Sequence, residues 1–145
     1  IVDLDAIKGM DMNEIFLMMR TPILLMLIIM GYILEINLDD KQQGDIKIKP
    51  QTSDEAYLES LIIIEEKVLE FKPQFILYNA GTDIIEGDPL SGLGISHKAI
   101  ILRDELMFGI ALRNKIPILM VLSGGYQKKN APCIADSIQN LITTF

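Results

Sequence analysis

Several residue types that would open whole classes of chemistry are scarce in this chain. Cys133 is the only cysteine among 145 residues. One thiol can close no disulfide within the chain and cannot build a cysteine zinc site, so a reducing compartment is the default expectation. His97 is the only histidine, and Ser123 does not sit in a G-x-S-x-G elbow. No Ser/His/Asp triad therefore follows. Positive charge is also short: 13 Lys and Arg stand against 20 Asp and Glu, for a net charge of −7 and a pI near 4.6. Nucleic-acid phosphates repel such a surface, whereas a basic partner or substrate is compatible with it. The start is acidic and carries no basic stretch of the kind that opens a signal peptide. It begins on Ile1 rather than Met, which leads us to expect a fragment of a longer reading frame or a processed product. Long apolar runs are missing too. The uncharged segment 21–34, TPILLMLIIMGYIL, falls short of the roughly 20 residues needed to cross a bilayer. Its Pro22, Gly31 and isoleucines suit a buried strand, and no membrane span is expected.

What the chain does have is apolar material, at half of all residues and a mean hydropathy of +0.32. One domain over 1–145 with a sizeable core is expected. The apolar residues come in an alternating order. Ile1 to Asp5 reads as a buried strand. Asp11 with Glu14 has capping-box spacing for a helix over 12–19. Ile23 to Met30 reads as a second strand, covered on both faces. The polar stretch from Glu35 to Thr52 reads as loop. Ser53 can cap a long helix whose Leu58, Leu61, Ile62, Val68 and Leu69 share a face, and Pro73 ends it. FILYNAG is a third strand, followed by a Gly- and Asp-rich loop from Thr82 to Ile95. Ser96 can cap a helix carrying Leu102, Leu106 and Ile110. PILMVL is a fourth strand, and Asn130 is expected to cap a last helix with Pro132 in its first turn. Solid apolar strands alternating with helices imply a parallel sheet with helices on both faces.

In such sheets ligands bind beyond the carboxyl ends of the strands. Asp3 and Asp5 end the first strand, Asp83 follows the third, and Ser123 to Tyr126 follow the fourth. That shared location is the evidence for a site. Each motif also has a plainer reading. The DLD carboxylates can ligate a hard cation or simply solvate a strand end. Gly81 can turn the chain sharply so that Asp83 points back into the crevice, while GDP alone is ordinary turn chemistry. Gly124 and Gly125 admit close approach of a ligand or a side chain. Tyr126 can donate to a developing oxyanion or be buried in a turn. His97, at a helix start, reads as a surface residue.

Taken together, DLDA at 3–6, YNAGTDIIEGDPLSGLGIS at 78–96, RDELMF at 103–108, PILMVLSGGYQKK at 117–129 and IADSIQNL at 134–141 resemble the histone deacetylase family, most closely its class IV branch. The resemblance implies the C-terminal part of an arginase/deacetylase-like fold, a three-layer parallel α/β sheet with helices on both faces. It implies hydrolysis of an acyl-lysine amide in a protein or histone, at a zinc ion that polarises the carbonyl and the attacking water. By the same resemblance Asp5 and Asp83 match two zinc ligands. Tyr126 matches the catalytic tyrosine, and Asp3 a monovalent-cation site of the potassium type. Gly81, Gly124 and Gly125 match substrate loops. The family's zinc histidine would stand at position 7, where this chain has Ile7, and its adjacent histidine pair has no counterpart here. The expectation is a deacetylase-like chain of the nucleus or cytoplasm that is inactive by itself. Two alternatives remain: a non-catalytic interaction module, and a haloacid-dehalogenase-type phosphohydrolase using the D-x-D of IVDLDAI. The position of LSGG after Asp83 disfavours the second.

Overall fold

The computed structural model describes the backbone strands at 2–3, 26–30, 33–38 and 42–46, together with residues 51–90 and 92–145. The helix expected over 12–19 lies outside the described residues, as do Asp5 and Ile7. Among the described residues six strands form one sheet: β1 (Val2–Asp3), β2 (Met26–Met30), β3 (Ile33–Leu38), β4 (Gln42–Ile46), β5 (Ile76–Asn79) and β6 (Ile118–Val121). Their spatial order is β4-β3-β2-β1-β5-β6. The four strands β2, β1, β5 and β6 run parallel, as expected. The apolar segment 21–34 supplies β2 and the start of β3, and among the described residues no helix is long and apolar enough to cross a membrane.

One correction concerns residues 35–52. They are not all loop, because β3 pairs antiparallel with β2, and β4 pairs antiparallel with β3. The sheet is therefore mixed. The polar residues of β4 conceal a strand that a hydrophobic pattern cannot reveal, since an edge strand needs little apolar surface to complete its ladder.

The described residues form four helices: α1 (Asp54–Ser60), α2 (Ile63–Phe71), α3 (His97–Arg113) and α4 (Asn130–Thr144). The long helix expected after Ser53 is thus two. Ser53 does cap α1, its hydroxyl accepting from Ala56 N at 3.3 Å. A break at 61–62 turns Ile62 and Leu69 outward, at 58% and 55% exposure, while Tyr57, Leu61, Ile64 and Val68 are buried. Lys72 ends α2 in the left-handed conformation, φ 53°, just ahead of Pro73, a stop that proline enforces by restricting the residue before it. Ser96 caps α3 through Ala99 N at 3.2 Å. Asn130 caps nothing: the N-cap position of α4 is Lys129, and Asn130 is the first helical residue, with its side chain buried.

The core gathers Tyr57, Leu61 and Ile64 from the first two helices, Ile76 and Tyr78 from β5, and Ile100, Met107 and Ile110 from α3. Burial alternates along β5, and Ile118 and Met120, in register with Ile76 and Tyr78, pack against the same core. The other face of this pair carries Leu119 and Val121, both exposed.

Candidate functional site

The parallel register sets three strand ends side by side. Asp3 of β1 lies opposite Asn79 of β5, which lies opposite Val121 of β6. The chain leaves β5 into residues 80–88 and leaves β6 into residues 122–127, so these two loops emerge together. They are then stitched to each other. Ala80 N donates to Val121 O at 2.8 Å, and Thr82 N to Gly124 O at 3.1 Å. The Thr82 hydroxyl donates to the same Gly124 carbonyl at 3.1 Å. Ser123 Oγ donates to Asn79 Oδ1, Tyr126 N donates to Asp88 Oδ2 at 2.8 Å, and Gln127 Nε2 donates to Glu86 O at 3.0 Å. Segments more than 40 residues apart in sequence, such as Thr82 and Gly124, are held as one surface.

Asp83 sits inside this arrangement, fully buried. Tyr126 is half exposed, at 49%, so the plainer reading of a tyrosine buried in a turn does not hold. The glycines serve different ends. Gly81 is absent from the left-handed glycines; what it contributes is its carbonyl, which accepts from Arg103 Nη1 at 2.6 Å. Gly125 has φ +126°, and a Cβ there would come within 2.2 Å of both Thr82 Oγ1 and Asn130 Nδ2. The close approach at Gly125 is thus made by the protein's own side chains. The backbone of Asp3 is placed at the strand end; Asp5 lies outside the described residues. His97 begins α3 with Nε2 lying 3.1 Å from Asp136 Oδ2, a surface position as expected. Among the described residues no three His, Cys, Asp or Glu side chains gather in a way that could hold a metal ion.

Sequence reasoning missed a buried polar cluster directly behind the loops. Arg103 and Asp104, quoted above within RDELMF, are 0% and 3% exposed. Arg103 Nε donates to Asp104 Oδ1 at 2.9 Å. Tyr78 Oη donates to that same oxygen, and Ser137 Oγ to the other. The guanidinium carbon lies 5.8 Å from the centre of the Tyr78 ring, within cation–π range. Burial pulls the Arg103 guanidinium down, but the Asp104 carboxylate together with the Tyr78 and Tyr57 phenols more than offsets it, and Arg103 stays charged. Burial pushes the Tyr57 phenol up to about 12 and the Tyr78 phenol well above its ordinary value. Both phenols therefore stay neutral. A signal existed: Ile100, Arg103, Asp104, Met107 and Ile110 share one helical face, with a charge pair in the middle of an apolar stripe.

The known proteins that this chain resembles agree with one another. The family model described as the histone deacetylase domain matches residues 31–142; Asp3, Asp5 and Ile7 precede the matched stretch. "Histone deacetylase 2" of Arabidopsis thaliana is 44% identical over 97 residues, covering 66% of this chain and 25% of that protein. A "Probable deacetylase" of Archaeoglobus fulgidus is 34% identical over 91 residues, 60% of this chain and 25% of that one. Among solved structures, an acetylpolyamine aminohydrolase from Burkholderia pseudomallei superposes with TM-score 0.56 at 22% identity, over 65% of this chain and 26% of its own. The HDA15 HD domain superposes with TM-score 0.55 at 19% identity, over 64% and 26%. These two likenesses show a shared fold. The matches span about a quarter of the length of these relatives.

Proposed function

The chain belongs to the histone deacetylase family, and from that premise we propose that it forms one wall of a class IV-type acyl-lysine site while lacking, among its own residues, the means to hydrolyse the amide. The observation that supports the reading is the stitched pair of loops. It sets a buried Asp83 and a half-exposed Tyr126 on one surface at the carboxyl ends of β5 and β6. In this reading Tyr126 donates its phenol proton in a hydrogen bond to the acyl carbonyl oxygen, and the acidic surface favours a basic polypeptide such as a histone. The three-layer architecture, with helices on both sheet faces, belongs to the same reading, as does a nuclear or cytoplasmic location. The alternative phosphohydrolase is disfavoured by family membership; a non-catalytic interaction module follows naturally from the proposal.

Zinc, and potassium at Asp3, are the metals the family implies, and the donor set of this chain does not fit zinc. A zinc site takes at least three protein ligands. Asp5 and Asp83 offer two carboxylates, position 7 is Ile, and the single imidazole of the chain faces Asp136 on α4. No step is therefore routed through a metal. The test is metal analysis of the purified chain after dialysis, with an acetyl-lysine peptide assay alongside. Far less than one zinc per chain and no turnover are expected. Ile7→His should raise zinc content without restoring turnover. About one zinc per unmodified chain, or hydrolysis abolished by Tyr126→Phe, would sink the proposal.

A further inference from the structure

We propose that the outward stripe of α1 and α2 is a docking surface for a basic amphipathic helix of another protein, separate from the loops around Tyr126. Burial follows a regular order along these two helices. Tyr57, Leu61, Ile64 and Val68, spaced four, three and four residues apart, are buried. Glu55, Glu59, Ile62, Glu66 and Leu69, spaced four, three, four and three, are all exposed. The order continues across the break at 61–62, a tight turn in which the amides of Leu61, Ile62, Ile64 and Glu65 each bond back three residues. A stripe that faces only water is polar throughout. This one carries Ile62 and Leu69, each more than half exposed and roughly 10 Å apart along the helix.

What lies beside the apolar pair says what fits it. Leu69 is also one wall of an open cavity of about 200 Å³, shared with Val68, Lys72, Pro73, Asn114 and Ile116. That exceeds the ~150 Å³ that holds a benzene ring, so one leucine or phenylalanine side chain can enter. Pro73 leads into β5 and Ile116 into β6, which puts the cavity at the amino ends of these parallel strands, away from the loops at their carboxyl ends. The charge along the stripe is negative. Among the described residues no Lys or Arg lies in ion-pair range of Glu55, Glu59 or Glu66. Two neighbouring cations are already engaged, Lys67 by Glu70 at 2.8 Å and Arg113 by Glu65 at 3.2 and 3.0 Å. Glu55 and Glu66 suit the first turns of their helices, but that leaves Glu59 and the two apolar residues without a reason. A second copy of this chain would bring the same acidic stripe, and nucleic acid or an anionic membrane would be repelled by it. A helix with an apolar residue at every seventh position between lysines or arginines complements it, apolar to apolar and basic flank to glutamate.

The experiment titrates the 145-residue chain with a fluorescent helical peptide bearing leucine at every seventh position between lysines and alanines. A scrambled peptide of the same composition and one with glutamate for each lysine serve as controls. The patterned peptide should bind about tenfold or more tightly than either control, and less tightly as salt rises. Ile62→Ser/Leu69→Ser should weaken it about tenfold or more. Glu55→Gln/Glu59→Gln/Glu66→Gln should weaken it and remove most of the salt dependence. These positions are exposed, so the thermal midpoint should stay close to that of the unmodified chain. Should the double serine variant lose its fold, Ile62→Lys alone replaces it, since it leaves the core untouched and repels the peptide. Tyr126→Phe should not change binding. Failure of the patterned peptide to bind, or equal binding by the scrambled one, overturns the proposal. So does undiminished binding in the Ile62 and Leu69 variants, or a loss in Tyr126→Phe, which would move the peptide to the loops. A shift of the chain from dimer to monomer on Ile62→Ser/Leu69→Ser assigns the stripe to a second copy. Pelleting with phosphatidylserine vesicles that the same variant abolishes assigns it to a membrane; either result overturns the protein partner.

Discussion

β5 and β6 lie side by side in the same sheet, parallel and in register from Ile76 opposite Ile118 to Asn79 opposite Val121, yet they live in different environments. β5 has β1 on one side and β6 on the other, and its Ile76 and Tyr78 are fully buried. Among the described strands β6 has only β5 for a neighbour, and its Leu119 is 51% exposed. By composition β6, with ILMV, is the more apolar of the two and β5, with ILYN, the less, so composition did not decide this. Position in the sheet did, along with what packs on each face. β5 carries the buried charge cluster behind it, and β6 carries the accessible Tyr126 beyond its end. Structural certainty and chemical access are divided between two adjacent strands.

The sharpest way to break this contrast is at the cluster behind β5. Asp104→Ala leaves the Arg103 guanidinium buried without its counter-charge and strips Tyr78 and Ser137 of their acceptor. Breaking a buried pair from one side costs about 3–5 kcal/mol, a large fraction of the stability of a domain this size. Denaturant unfolding should show a loss of that order or outright failure to fold, and Arg103→Met/Asp104→Leu together should cost less than Asp104→Ala alone. A loss below about 1 kcal/mol, the scale of a surface pair, would mean that the cluster is solvated.

How much of this was legible beforehand follows the same division. The parallel strands, the caps at Ser53 and Ser96 and the stop at Pro73 were readable because each rests on a local signal: an apolar run, a hydroxyl at the right offset, a fixed φ. The β3–β4 hairpin was not, because residues 42–46 carry no hydrophobic pattern and their pairing is set by a neighbouring strand. Arg103 and Asp104 were hidden because charge normally marks a solvated face, and only the tertiary partners Tyr78, Gly81 and Ser137 make their burial affordable. The candidate site was legible at the level of loops: the segments that carry Asp83 and Gly124 to Tyr126 are hydrogen-bonded side by side. The bridge made by Asp88 was not, since one of its bonds is local and the other spans 38 residues.

A second test moves the pH instead of the sequence. Burial pushes the phenol of Tyr57 from its ordinary 10 up to about 12, the thiol of Cys133 from 9 up to about 11, and the phenol of Tyr78 upward too. In each case the folded chain keeps its proton to higher pH than the unfolded one. The stabilisation from these neutral groups is fully present below the unfolded values and is lost as pH rises through the folded ones. Stability should hold to about pH 9 and then fall, by on the order of 2–3 kcal/mol for Tyr57 alone once pH passes 12. Thermal unfolding between pH 8 and 11 reads it: Cys133→Ala should delay the onset and Tyr57→Phe should flatten the part above pH 10. A midpoint that does not change across that range would place these groups in contact with water.

The smallest expected effect on stability belongs to β6, and it carries the largest effect on association. Leu119 and Val121 share the open face, being two residues apart on a strand, and both are already exposed. Leu119→Lys and Val121→Thr remove apolar surface that is only partly covered, at 51% and 37% exposure, so each should change unfolding free energy by about 1 kcal/mol or less. An apolar strand that, like β6 among the described strands, has a neighbour on one side only is a template for pairing with another chain, and a lysine on it is the usual remedy. In size-exclusion chromatography the unmodified chain should therefore self-associate, and the double variant should shift toward monomer at nearly unchanged thermal midpoint. The corresponding pair of changes on β5, Ile76→Lys and Tyr78→Thr, should instead destroy the fold, since both side chains are fully buried. A sharp monomer peak from the unmodified chain, with cooperative unfolding and no partner, would show that the open face of β6 is tolerated as it stands. The difference between the two strands would then be one of burial alone, with no consequence for assembly.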